Sequence, residues 1–154
     1  MRSRLQAVVL PAEPSEFRDE LRRIFTELDK TVPAETLVGE CAPALDVFET
    51  DEALEVVVDL PDVDISAVRI VAKGPTLLIA GHKSPRRARP DSTFHLVERG
   101  YGRFVRAVRL TTACDSARAR AILVEGELRV VLPKVAERRG RSIPIAVEAG
   151  PAGA

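Results

Sequence analysis

The chain has 154 residues, 45% of them hydrophobic and 30% charged, and its 23 Lys+Arg balance its 23 Asp+Glu. That length holds one domain with a real core plus flanking arms. A formal net charge of zero gives no global field to hold nucleic acid or an anionic membrane. Trp is absent, and one Tyr and five Phe leave the core to Val, Leu, Ile and Ala, a composition that suits strands.

Residues 1–41 form an N-terminal arm. Its opening apolar stretch is cut by Pro11 and is too short for a signal-peptide core. No run reaches the roughly 18 apolar residues of a membrane span, so the expected location is the cytosol. One helix is predicted from Ser15 to Lys30. Phe17, Leu21, Ile24, Phe25 and Leu28 recur at helical spacing on one face, and the other face is charged. Ser15 is placed to cap the first turn, Glu16, Asp19 and Glu20 sit at the positive end, and Lys30 sits at the negative end. Pro33 and Gly39 break the pattern. The mixed charges of Glu16, Asp19, Glu20, Arg22 and Arg23 argue against a membrane-surface helix, which favours a Lys/Arg-rich polar face.

Residues 42–136 read as successive short strands. Leu45 to Glu49 comes first. Ala53 to Leu60 follows, with Leu54, Val56 and Val58 on one face and Glu55, Val57 and Asp59 on the other; Pro61 and Asp62 stop it. Val68 to Ala72 is short and leads through Gly74 and Pro75 into Thr76 to Ala80, ended by Gly81. Phe104, Val105, Val108 and Leu110 mark another strand. Ala117 to Val124 sets Ala119, Ala121 and Leu123 against Arg118, Arg120 and Ile122. Glu125 and Gly126 then turn into Leu128 to Leu132, closed by Pro133. Many short strands at close spacing argue for a sandwich, and the lack of a second helix argues against an α/β enzyme fold. One segment breaks the rhythm. Lys83 to Gly102 is long, begins basic and contains Pro85 and Pro90. A loop of that length has a task or an element of its own; Thr93, Phe94, His95, Leu96 and Val97 are predicted as a lone strand.

Residues 137–154 are expected to be a flexible tail, basic at Arg138, Arg139 and Arg141, with a single apolar plug at Ile143, Pro144 and Ile145. Pro144 presets an extended backbone, so both isoleucines project the same way.

The chain carries little that suggests chemistry. Cys41 and Cys114 make neither a disulfide framework nor a metal motif and are expected as reduced, buried or half-buried thiols. Neither His82 nor His95 has a Cys or carboxylate at metal-ligand spacing in the sequence, so metal binding is not expected. No phosphate-cradling loop or nucleophile elbow is present. The basic clusters lack interleaved aromatics for stacking. No enzyme activity, metal or cofactor is expected.

A set of short motifs is more specific. Asp59-Leu60-Pro61-Asp62-Val63, Leu77-Leu78-Ile79-Ala80-Gly81, and Phe94 followed by Glu98-Arg99-Gly100-Tyr101-Gly102-Arg103-Phe104 occur in order. They are followed by Ala121, Gly126-Glu127-Leu128, Leu132-Pro133-Lys134 and Ile143-Pro144-Ile145. This ordered set resembles the small heat-shock protein family, whose α-crystallin domain carries these motifs in its bacterial and plant members. Asp62 stands where glycine is usual, Glu127 where Val or Ile is usual, and Thr111 to Asp115 replaces a proline-bearing stretch.

The resemblance implies an all-β fold: an immunoglobulin-like sandwich of two antiparallel sheets with a helical N-terminal arm and a flexible C-terminal tail. It implies that Thr93 to Val97 pairs with a partner subunit's sheet to make a dimer, with Arg106 in a structural role at that edge. The tail would dock in an apolar groove of a neighbouring dimer, between Val68–Ala72 and Ala117–Val124, lined by Val68, Ile70, Ala119, Ala121 and Leu123. It further implies an ATP-independent holdase that covers unfolding client proteins and hands them to ATP-driven chaperones. The rival is a co-chaperone-type adapter that binds one folded partner; a third, weaker option is a lipid- or membrane-associated stress protein. The arm helix, with no obvious place in a sandwich core, is expected to contact clients or pack inside an oligomer.

Overall fold

A computed structural model describes residues 17–30 and 41–135. Ser15, Glu16, the tail from Glu137 onward and Ile143-Pro144-Ile145 lie outside the described residues.

The chain runs α1 (Arg18–Asp29), β1 (Leu45–Glu49), β2 (Ala53–Asp59), β3 (Val68–Lys73), β4 (Thr76–Lys83), β5 (Gly102–Arg109), β6 (Arg120–Val124) and β7 (Glu127–Pro133). Two antiparallel sheets form, one ordered β1-β2-β7-β6 and the other β3-β4-β5. The expected sandwich of two antiparallel sheets is what the chain builds. Alternation explains why. In β2, Leu54, Val56 and Val58 are buried while Glu55 and Val57 are half-buried and Asp59 exposed, and in β7, Leu128, Val130 and Leu132 are buried. Period-two side chains from both sheets meet in one aliphatic core with Leu77, Ile79 and Val108, where Phe104 is the one aromatic ring.

Two strand boundaries differ from the sequence expectation by three residues. Gly81 does not end β4, which continues through Lys83. Any Cβ at Gly81 would strike the Ala67 carbonyl oxygen and lie 2.6 Å from Phe104 Cζ, so glycine here permits close packing rather than a turn. The segment Ala117 to Ala119 is not strand. Ser116–Arg118 form a 3₁₀ turn whose first residues are capped by Asp115, its carboxylate accepting from the Ala117 N–H at 3.1 Å. The Glu125-Gly126 hairpin holds: both residues have positive φ, 50° and 80°, which suits the right-handed twist of the strands that they join.

The helix forms as α1, slightly shorter than expected. Phe17 occupies its N-cap position with no side-chain cap, and Lys30 its C-cap. The helix stays out of the sandwich core, as expected, but it finds a place on the outer face of one sheet. Phe17, Ile24 and Leu28 are buried against Leu78, Ala80 and Ala107, on the face of β3-β4-β5 turned away from the main core; Leu21 and Phe25 are half-buried beside them. The physical reason lies in β4, where Thr76 through His82 are all buried. A strand apolar on both faces needs cover on both.

Candidate functional site

The expected groove residues come from the edge strands β3 and β6, with Ala119 just ahead of β6. Arg106 on β5 donates to the Pro43 carbonyl at 2.8 Å, and the Cys41 N–H bonds the Arg103 carbonyl at 3.1 Å, tying β5 to the segment that enters β1. With β5 and β1 on one flank, the sheet orders put β3 and β6 on the other. Val68, Ile70, Ala119 and Leu123 are half-buried there, packed on the core from one side only, while Ala121 is exposed. This flank therefore presents half-buried apolar side chains and small alanines at its surface. Ile122 and Val124 point to the opposite, outer face of β6 and are 60% and 58% exposed.

The long loop packs beside Asp62 and the end of β4 at Lys83. Thr93, Phe94, His95, Leu96 and Val97 are all exposed and form no strand within the single chain. A ladder needs a neighbouring edge, and the loop has none in its own fold. Phe94, Leu96 and Val97 are 52%, 73% and 62% exposed. With Pro85, Tyr101 and Asp62 they border a cleft of about 290 Å³. Among the described residues one ion pair fastens this loop: Arg99 Nη2 donates to Asp62 Oδ2 at 2.8 Å. The Arg99 hydrogen bond and charge, aided by Arg86 and Lys83, hold the Asp62 carboxyl below the usual aspartate range. Asp62 takes φ 60°, a left-handed conformation uncommon for a residue with a Cβ.

Arg106 acts within the chain, bracing β5 to Pro43. Cys41 and Cys114 are free and half-buried, and burial pushes both thiols up. Among the described residues no cluster of His, Cys, Asp and Glu is arranged to hold a metal ion, and no helix is long and apolar enough to cross a membrane. Sequence reasoning missed two features: the Asp62–Arg99 pair, and a basic rim of Arg69, Lys73 and Arg103 around the face under α1. The rim had a legible signal, since Arg69, Val71 and Lys73 alternate on one side of β3.

This geometry has known counterparts. The Hsp20/alpha crystallin family model matches residues 46–146. The chain belongs to that family. A 17.6 kDa class I heat shock protein of Helianthus annuus is 32% identical over 116 residues, covering 75% of this chain and 76% of the relative. Spore protein SP21 of Stigmatella aurantiaca is 33% identical over 104 residues, 68% of this chain but only 62% of that protein, less than two thirds of its length. Among solved structures, heat shock protein 16.0 from Schizosaccharomyces pombe superposes with TM-score 0.59 at 29% identity, over 70% of this chain and 99% of that one. A small heat-shock protein from Xylella fastidiosa gives TM-score 0.59 at 25% identity, over 71% and 96%. The family and the sandwich are those of small heat-shock proteins.

Proposed function

We propose that this small heat-shock protein is an ATP-independent holdase that binds unfolding proteins and keeps them from aggregating. The observation that carries the reading is the half-buried apolar flank at β3 and β6, where Val68, Ile70, Ala119 and Leu123 pack on the core yet stay partly exposed. Contiguous exposed apolar surface marks a site of interaction. Extended apolar segments fit it: the chain's own Ile143-Pro144-Ile145 when subunits assemble, and client segments when they unfold. The loop has a matching use. Phe94, Leu96 and Val97 are exposed, and pairing Thr93–Val97 with a partner's free β1 edge supplies the missing ladder and makes a dimer. The outer edge of β5 is less open, since Cys41 already bonds Arg103 there. Bound clients then pass to ATP-driven chaperones for refolding.

Light scattering of a heat-stressed test protein checks the central claim. Near-stoichiometric amounts of the full chain should suppress the scattering rise, with no gain on adding ATP. Scattering unchanged across ratios and temperatures overturns the reading.

A further inference from the structure

The face of β3-β4-β5 beneath α1 has an ordered chemistry. Leu78, Ala80 and Ala107 form its apolar strip. The strand registers place Arg69 and Lys73 on the same face of β3 as Val71, and Arg103 on the same face of β5 as Val105 and Ala107. Because β4 lies between β3 and β5, the strip runs between two basic rims.

The helix that covers it is charged in the opposite sense. Glu20 accepts from Lys73 Nζ at 2.7 Å, Glu27 approaches Arg69 Nε at 3.9 Å, and Asp29 takes two hydrogen bonds from Arg103 Nη2, at 2.8 and 2.9 Å. Every one of these pairs puts the acid on the helix and the base on the sheet. The same bases also reach the helix's rings: Lys73 Nζ lies 5.9 Å from the Phe17 ring centre and the Arg103 guanidinium 4.9 Å from that of Phe25. Solvent-exposed ion pairs add little to stability. Their effect is on selection, since they reward one charge pattern and penalise its reverse. The apolar strip alone would accept any amphipathic helix; the two rims restrict it to one with acidic flanks.

We infer that this face is a docking surface for amphipathic helical segments with acidic flanks in unfolding proteins, and that α1 occupies it as a built-in competitor. The inference rests on the holdase reading and names a class of segment that the protein takes. α1 is joined to the sandwich by the chain itself, so its local concentration is high, and a client segment binds more weakly than the bare face would allow. Conditions that loosen α1 raise capture.

The probe is a fluorescein-labelled synthetic peptide with the sequence of Phe17–Lys30, titrated into the full chain by fluorescence anisotropy. The chain carries Ile24→Asp and Leu28→Asp, which unseat its own helix, and far-UV circular dichroism checks that the sandwich persists. The peptide should bind this variant about tenfold more tightly than it binds the wild type. A peptide with Glu20→Lys, Glu27→Lys and Asp29→Lys should bind about tenfold more weakly. Arg69→Glu, Lys73→Glu and Arg103→Glu on the sheet should reverse that preference. If the unseated variant does not fold, the wild-type chain answers: the acidic peptide in excess should speed amide exchange at Arg18–Asp29, and the reversed peptide should not. Equal binding of both peptides, or binding of neither, overturns the inference. Aggregation suppression measured on the same samples separates the two claims. If suppression survives while the peptides fail to discriminate, the docking surface is wrong and the holdase stands; if suppression is absent too, both fall.

Discussion

Gly81 and Asp62 show how one residue type sets a local geometry. Gly81 lies inside β4, where a side chain would meet the Ala67 carbonyl oxygen and Phe104 Cζ. A backbone oxygen cannot swing aside as a side chain can. Gly81→Val should therefore destabilise the sandwich by roughly 1–3 kcal/mol, seen as a lower urea midpoint with an unchanged slope; an unaltered midpoint would show that the backbone yields freely there. Asp62 combines a left-handed backbone with the ion pair to Arg99. Its folded-state pKa is depressed, so the pair is fully present above the unfolded aspartate value of about 4 and is lost as pH falls through the lower folded value. Both partners are exposed, so global stability should hardly move with that titration. The loop should respond instead: at neutral pH, Asp62→Gly should speed amide exchange across residues 84–101. Exchange equal to wild type would show that the pair does not tether the loop.

At the scale of elements, α1 and the loop behave differently. α1 joins a cluster with Leu78, Ala80 and Ala107 that is separate from the main core. Leu28→Ala removes a fully buried side chain, at a cost of about 2–5 kcal/mol to helix docking. The sandwich core is untouched, so protease should cut at Arg22 and Arg23 sooner while the main thermal midpoint stays within a few degrees. A fall of the whole transition would mean that the helix and the sandwich unfold as one. The apolar periodicity of α1 was readable from Phe17, Leu21, Ile24, Phe25 and Leu28; its partner was not, because period alone identifies a face and not what the face meets. The run from Leu77 to Ala80, apolar without alternation, was the available sign that β4 needs cover on both sides. The loop leaves Phe94, Leu96 and Val97 exposed. Deleting Arg89–Glu98 should yield monomers by multi-angle light scattering, and a shortened chain that stays dimeric would place the interface elsewhere.

For the whole molecule, the two flanks of the sandwich divide the work. Arg106, Pro43, Cys41 and Arg103 tie β5 to the segment that enters β1 on one flank, leaving the β1 edge itself unpaired among the described residues, whereas β3 and β6 lie on the other with Val68, Ile70, Ala119 and Leu123 only half-buried. The proposed occupant of that second flank is the tail. Replacing Ile143 and Ile145 by Ala removes buried methyl and methylene groups at about 0.8 kcal/mol each. Each contact is weak once the ordering of the tail is charged against it, but repeated contacts in an assembly reinforce one another. The double variant should fall from large oligomers to dimers or small species while the sandwich keeps its thermal midpoint. Wild-type mass in the double variant would exclude tail docking as the link between dimers. If mass falls and aggregation suppression persists, the exposed apolar surfaces of the dimer suffice to hold clients.

The sequence by itself determined the sandwich. Alternation in Leu54, Val56 and Val58 and in Leu128, Val130 and Leu132, together with the Glu125-Gly126 turn, sets which faces point inward, because a strand's period is fixed by its backbone. It also determined the family, through ordered motifs at Asp59 to Val63, Leu77 to Gly81 and Glu98 to Phe104. Only the tertiary structure decided where α1 rests, why Gly81 is a close approach and not a stop, and that Asp62 meets Arg99 across 37 positions of chain. These are contacts between segments distant in sequence. They depend on which surfaces folding brings face to face, and local periodicity carries no information about that.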